Sequence, residues 1–370
     1  MKLTAIELKN FCALKQVNLE FSPGINVFIG ANGTGKTHLM KVLYSTLKAN
    51  EKAVKGATVN PHDFSTVLGQ KLVSVFRPDP VRPAGVQKEE LEGLGRLVFR
   101  KKGRSNSTVK ILLDDKPLSF RITTLGRLSH LESSWEHTSR ALFLPTRETV
   151  AMFEGFIAAY ERSELAFDET YYDLCVAMAA NPAKGPTAEV WKSLYAELEQ
   201  SLGGKVHLMG GRFYVYSDSG LIEAHMLAEG LRKLACLFRL LQNLSLVKNG
   251  FLFWDEPEAN LNPKLVTIVV RMLLQLASAG VQIFLASHDY LLTNELALTV
   301  ENPDIYKIKP QPKVRFFCAS KQDDGGISFE TTDDLSSLNT NPILQEYAAH
   351  YDREHSFLHK ITVEDKGKKV

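Results

Sequence analysis

The stretch that decides the fold is Ile25 to Thr37, INVFIGANGTGKT. Residues 25–30 form a nearly continuous apolar run, as a strand covered on both faces does. From Thr37 the apolar positions Leu39, Met40, Leu43 and Leu47 recur at helical spacing, so a strand passes through a glycine-rich turn into a helix. The turn, Gly30-Ala31-Asn32-Gly33-Thr34-Gly35-Lys36-Thr37, satisfies G-x-x-x-x-G-K-[ST] at every position, in the context that pattern requires. Its glycines let backbone N–H groups turn inward around phosphate oxygens, and the helix N-terminus adds positive potential. Lys36 then reaches the β- and γ-phosphates, and the Thr37 hydroxyl is offered to Mg2+. ATP and Mg2+ are the implied ligands.

A second motif completes that chemistry. Phe251-Leu252-Phe253-Trp254-Asp255-Glu256 is an apolar run closed by two acids, which puts Asp255 at the carboxyl end of a buried strand, where open α/β sheets bind ligands. Asp255 is the natural Mg2+ partner alongside Thr37. Glu256 is placed to orient and deprotonate an attacking water. His288 ends the next strand-like run, VQIFLAS, and so falls at the same edge, a position suited to sensing a γ-phosphate. Leu227-Ala228-Glu229-Gly230-Leu231-Arg232-Lys233 opens a helix with the apolar stripe Leu231, Leu234, Ala235, Phe238 and Leu241, leaving Gly230 at an anion-attracting N-terminus.

Around these motifs, TAIEL (4–8) and VNLEF (17–21) alternate as strands, and residues 96–115 predict two strands flanking a basic turn. These form an antiparallel side sheet. ALFLPTRE (141–148) predicts a further buried strand ending at a proline, and the residues from 148 to 205 turn helical. VHLMGGRFYVYSDSGLIEAH (206–225) predicts a hairpin. The strand, helix and strand of residues 251–289 carry Asn262 as a cap, Pro263 at the first helical position and Gly280 as a stop. Residues 306–320 and 325–332 predict finishing strands, and the tail VEDKGKKV a frayed end. The division read from this is 1–147 as the N-terminal part of the core with the side sheet, 148–205 as a helical insertion, and 206–370 as the C-terminal part.

Composition sets the outer bounds. The 370 residues hold 44% apolar and 23% charged side chains, an ordinary globular mixture rather than a disordered one. Cys12, Cys175, Cys236 and Cys318 lie far apart without a CxxC pair, which fits buried thiols in a reducing compartment, and a cytoplasmic location. The most apolar stretch is interrupted by Arg271, Gln275 and Gly280 and is no membrane span. Forty-four basic against 42 acidic residues give a net charge of +2, too balanced to announce a nucleic-acid binder. A modest basic patch at 77–110 (Arg77, Arg82, Lys88, Arg96, Arg100, Lys101, Lys102, Arg104, Lys110) leaves DNA contact open.

GANGTGKT, LAEGLRK, FLFWDEPEANLNP and FLASHD stand in the order Walker A, signature helix, Walker B with D-loop, and switch histidine. That order resembles the ABC-type ATPases. Within them the chain resembles the stand-alone ATPases of the SMC and RecF-like branch, particularly the AAA_15/AAA_21 families that include abortive-infection components of bacterial phage defence. The resemblance covers nearly the whole chain, the opening IELKNFCALKQVNLEFSPGINVFIGANGTGKT included. It implies an α/β fold, an ABC-ATPase-like P-loop core with an antiparallel side sheet and a helical insertion. It also implies a homodimer that sandwiches ATP, with Glu229 and Gly230 acting on the partner's nucleotide, Phe11 against the adenine, and Lys36, Glu256 and His288 in hydrolysis. One departure is that the serine common two residues before the signature glycine is Ala228 here, which removes a hydroxyl from that contact. A Q-loop glutamine stays open between Gln70 and Gln87.

Two functions follow as expectations. The first is a regulatory ATPase that closes on ATP and controls a separate effector protein, a nuclease or toxin, in anti-phage defence, since the stretch after His288 is too short for a nuclease domain. The alternative is a RecF-like DNA-binding ATPase of repair and recombination.

Overall fold

The structure, a computed structural model, describes residues 1–55, 61–78, 94, 97, 98, 105–136, 139–218, 220–323 and 325–367. Strands β1 (Leu3–Phe11) and β2 (Leu14–Glu20) precede β3 (Ile25–Gly30), which delivers the chain through the glycine-rich turn into α1 (Lys36–Lys55). Helix α2 (Pro61–Phe76) follows, then β4 (Ser107–Leu113), β5 (Lys116–Ile122), β6 (Leu128–Ser133) and β7 (Ala141–Leu144). Helices α3 (Phe156–Glu161), α4 (Glu169–Ala179) and α5 (Pro186–Leu202) lead to β8 (Gly204–Met209), β9 (Arg212–Ser217) and β10 (Gly220–Glu223). The chain then alternates through α6 (Glu229–Gln242), β11 (Phe251–Asp255), α7 (Pro263–Ser278), β12 (Gln282–Ser287) and α8 (Tyr290–Glu301). It closes with β13 (Val314–Lys321), β14 (Ile327–Thr332) and α9 (Pro342–Gly367).

The central sheet has the order β14-β13-β3-β12-β11-β7. Its strands are parallel except β14, which pairs antiparallel with β13. Because successive side chains of a strand point to opposite faces, the sheet separates two cores. Ile25, Val27 and Ile29 join Leu252, Trp254, Ile283 and Leu285 on the face covered by α6 and α7. Phe28, Phe143, Phe253, Phe284 and Phe317 line the other face with residues of α1 and the side sheet. There Phe253 stacks on Phe284 at 4.9 Å and Phe28 lies 5.0 Å from Phe317, so the strands that carry the motifs are locked side by side. The antiparallel side sheet, β2-β1-β4-β5-β6, supplies that core through alternation, every second residue of β4 being buried.

Three sequence expectations change. Residues 206–225 are part of a three-stranded meander, β8 to β10, rather than a hairpin, because the chain turns again after Ser217 and residues 220–223 pair back onto β9, from Gly220↔Ser217 to Glu223↔Tyr214. Of the two strands expected across 96–115, the second is β4, Val98 makes an isolated bridge to Phe11, and the turn between lies outside the described residues. The expected frayed tail runs as helix α9 up to Gly367. Within 148–205, α5 packs on α6 and α7 through Trp191, Leu198 and Leu202, inside the same core cluster as the central sheet. Among the described residues no helix is long and apolar enough to cross a membrane.

Candidate functional site

Three parallel strands end together at one edge, and each deposits its motif there. β3 and β12 are paired from Ile25↔Ile283 to Ile29↔Ser287, and β12 with β11 from Phe251↔Gln282 to Asp255↔Ala286. Register alone therefore brings Gly30, Asp255 and the residues after Ser287 side by side. The turn after β3 is a tight cradle. A side chain at Gly30 (φ 147°) would meet the Ala319 carbonyl at 2.5 Å, and one at Gly35 (φ 81°) would meet Leu14 at 2.9 Å. Thr34 is buried and bonds the Ala31 carbonyl at 2.8 Å, while the Lys36 ammonium folds onto the Gly30 and Ala31 carbonyls at 2.6 and 3.0 Å.

The Thr37 hydroxyl lies 3.1 and 3.0 Å from the two oxygens of Asp255, which unites the motifs across 218 positions of sequence. Burial pushes the Asp255 carboxyl above its ordinary pKa, opposed by that Thr37 hydrogen bond and by Lys41 and Lys36. Burial likewise holds the Lys36 ammonium below its ordinary value, against the pull of Asp255, Glu256 and Glu258. A dication between Thr37 and Asp255 would relieve the first of these penalties, and phosphate oxygens beside Lys36 the second. The donors thus fit a Mg2+–nucleotide, and a cleft of about 250 Å3 lined by Ala13, Asn32, Lys36, His38, Asp255 and Glu256 holds the position.

Glu256 has a φ of 50°, a left-handed conformation that costs a non-glycine residue about 1–3 kcal/mol. Its N–H donates to the Ala286 carbonyl at 2.9 Å. Its carboxylate stands 3.4 Å from Nδ1 of His288. His288 is held from behind, its backbone N–H and the Ser287 hydroxyl both donating to Oε1 of buried Glu258, at 3.3 and 2.8 Å. Burial raises the Glu258 carboxyl, and its second oxygen has no hydrogen-bond partner among the described residues. Glu258 was missed in the sequence, although DEPE places it in plain view, because only the fold shows that it is buried under His288.

Glu229 and Gly230 do not line this cleft. They face the loop after β11, where Asn260 donates to the Glu229 carboxylate at 2.7 Å and a Cβ on Gly230 would come within 2.6 Å of the Asn260 carbonyl. Ala228, the N-cap of α6, makes no capping bond. Phe11 is a correction. Its ring is fully buried, edge-on to Phe76 at 5.6 Å, and so is not free to meet an adenine. The residue exposed on that side is His38, 5.8 Å from Phe76. Gln70 belongs to a separate cavity of about 530 Å3 between α1, α2 and α4, and Gln87 lies outside the described residues. Most of the basic patch (Arg82, Lys88, Arg96, Arg100, Lys101, Lys102, Arg104) also lies outside them, while Arg77 donates to the carbonyls of Leu165 and Phe167.

The class defined by this fold and edge is a P-loop ATPase of the ABC/SMC-like type. The model of the family AAA_21, described as "AAA domain, putative AbiEii toxin, Type IV TA system", matches residues 108–294, and that of AAA_15, "AAA ATPase domain", matches residues 1–82. The chain belongs to the AAA_21 family. It is similar to two proteins titled "DNA replication and repair protein RecF". The one from Lactococcus lactis is 46% identical over 44 residues, 12% of each chain, and the one from Acidothermus cellulolyticus 35% over 82 residues, 21% of this chain and 22% of the relative. The matches thus span less than a quarter of those relatives. An SMC head solved with the C-winged helix domain of ScpA shares the fold, with a TM-score of 0.53 at 12% identity over 92% of this chain and all of that one. The SMC head domain from Thermotoga maritima aligns with a TM-score of 0.48 and 12% identity, over 90% and 99% of the two chains.

Proposed function

We propose that this ATPase hydrolyses ATP with Mg2+, dimerises around the nucleotide, and works in the cytoplasm as the regulatory subunit of a separate effector, a nuclease or toxin, in anti-phage defence. The observation that carries the ATPase reading is the Thr37–Asp255 contact at 3.0 Å, with Glu256 and His288 3.4 Å apart beside it.

In this reading the loop Gly30, Ala31, Asn32, Gly33, Thr34, Gly35 receives the triphosphate on its N–H groups, and Lys36 exchanges its loop carbonyls for phosphate oxygens. Thr37 and Asp255 would hold Mg2+, which would supply charge neutralisation at the phosphoryl oxygens. Glu256 accepts the proton of the attacking water, and His288 orients Glu256 and meets the γ-phosphate. Glu229 and Gly230 sit outside their own cleft, which suits action on the partner's nucleotide. Ala228 weakens that grip, and of the two basic residues that follow only Arg232 is placed to take a larger share, Lys233 being buried with its ammonium on the Glu256 carbonyl. The segments 1–147, 148–205 and 206–370 serve as nucleotide-binding half, helical insertion and signature half.

The family description, with its toxin and toxin–antitoxin wording, supports the effector role. A RecF-like role in DNA repair is the second reading, favoured by the 35% identity over 82 residues to a RecF protein. The test is phosphate release by the purified full chain. Mg2+-dependent hydrolysis lost in Glu256→Gln supports the ATPase, and a rate unchanged by that substitution overturns it. Copurification from the host with a nuclease or toxin favours the first role. Binding of DNA whose affinity falls steeply with salt favours the second.

A further inference from the structure

Lys233 lies on α6 with only 4% of its surface exposed. Lysines are almost never buried so fully without a partner. Its ammonium donates to the backbone carbonyl of Glu256 at 3.2 Å. Burial lowers its pKa, while Glu258, Glu229, Glu256 and Asp255 draw it back towards the charged form. The left-handed Glu256 backbone is therefore clamped from two sides, its N–H by Ala286 of β12 and its carbonyl by Lys233 of α6. One turn earlier, the same helix meets the loop after β11 again, with Glu229 accepting from Asn260 and Gly230 pressed on the Asn260 carbonyl. Residues three or four apart share a helix face, so a displacement of the start of α6 reaches Asn260 and the Glu256 carbonyl together.

We propose that Lys233 is a positioning residue for Glu256, coupling the start of α6 to the hydrolytic side chain of its own subunit. The inference rests on the two-subunit ATPase reading. In that reading the start of α6 meets the partner's nucleotide, and Lys233 passes the occupancy of one site to the base of the other without touching either nucleotide.

The experiment compares wild type, Lys233→Met, Lys233→Arg, Glu256→Gln and the double substitutions in Mg·ATP turnover, with a fluorescent ATP analogue reporting affinity. Lys233→Met is expected to lower kcat by about 10- to 100-fold, as loss of a supporting contact does, with analogue Kd and KM within about twofold of wild type. Lys233→Arg restores part of kcat. Because Lys233 acts through Glu256, adding Lys233→Met to Glu256→Gln costs less than about twofold more. Should Lys233→Met not fold, Lys233→Arg and its double with Glu256→Gln carry the same non-additivity. An unchanged kcat in Lys233→Met, or a loss as large in the Glu256→Gln background, overturns the coupling alone. A wild type without ATPase activity, or a Glu256→Gln that keeps the wild-type rate, overturns the underlying reading and the coupling with it.

Discussion

Helices α7 and α8 begin differently from α6. Asn262 accepts from the Leu265 N–H at 3.0 Å and Asp289 from the Leu292 N–H at 2.7 Å, so both helices close their own first turn. Helix α6 starts at Ala228, whose methyl accepts nothing, although Gly230, Lys233 and Leu234 behind it are buried. Alanine at that position forgoes about 0.5–2 kcal/mol relative to serine or asparagine. Two helices thus spend their N-termini on their own stability, and the third has no side-chain cap on its first turn, beside the loop that follows the candidate base. In the proposed dimer that uncapped turn meets the partner's nucleotide.

The largest expected effect is at Gly230. Gly230→Asp puts a Cβ 2.6 Å from the Asn260 carbonyl and a negative charge among donors meant for phosphate, so ATP-driven association should fall beyond detection in sedimentation experiments while analogue binding to the monomer survives. Loss of both together would mean that the start of α6 acts within its own subunit.

Next comes the pH response of the edge. Burial raises the folded pKa of Asp255, so the native protein keeps that proton to higher pH than the unfolded chain does. The resulting destabilisation is absent below the unfolded carboxylate pKa of about 3.9 and complete only above the folded value. Asp255→Asn should therefore melt higher than wild type at pH 7 without nucleotide, the gap narrowing as pH falls from the raised folded value towards about 3.9 and closed below it. With Mg·ATP the order should reverse, because the metal needs the carboxylate. A melting difference that does not change with pH would contradict the burial argument.

Two cap substitutions sharpen the contrast between the helices. Asn262→Ala should cost about 1 kcal/mol in chemical denaturation and leave kcat alone. Ala228→Ser should add about 0.5–1 kcal/mol and also tighten the ATP-dependent dimer, an effect that a merely stabilising cap would not produce.

The edge was legible in the sequence because its chemistry demands particular residues at fixed distances. Lys36, Thr37, Asp255, Glu256 and His288 are named by local pattern, and strand register does bring their segments together. What depends on long-range packing was not legible. Phe11 has the residue type of an adenine contact, yet Phe76, 65 positions away, covers it. Nothing in LAEGLRK shows that Lys233 is buried, a consequence of β11 bringing the Glu256 carbonyl against it. The meander of β8 to β10 reads as a hairpin because β10 is only four residues long and its place beside β9 is set by pairing, Gly220 with Ser217 to Glu223 with Tyr214, rather than by an apolar pattern of its own.

The proposed mechanism requires that ATP join two copies of this chain. Light scattering of Glu256→Gln with and without Mg·ATP tests it most directly. A doubling of mass that requires nucleotide, and disappears when Gly230→Asp is added, is the predicted result. A mass unchanged under saturating Mg·ATP, with nucleotide bound, would contradict it.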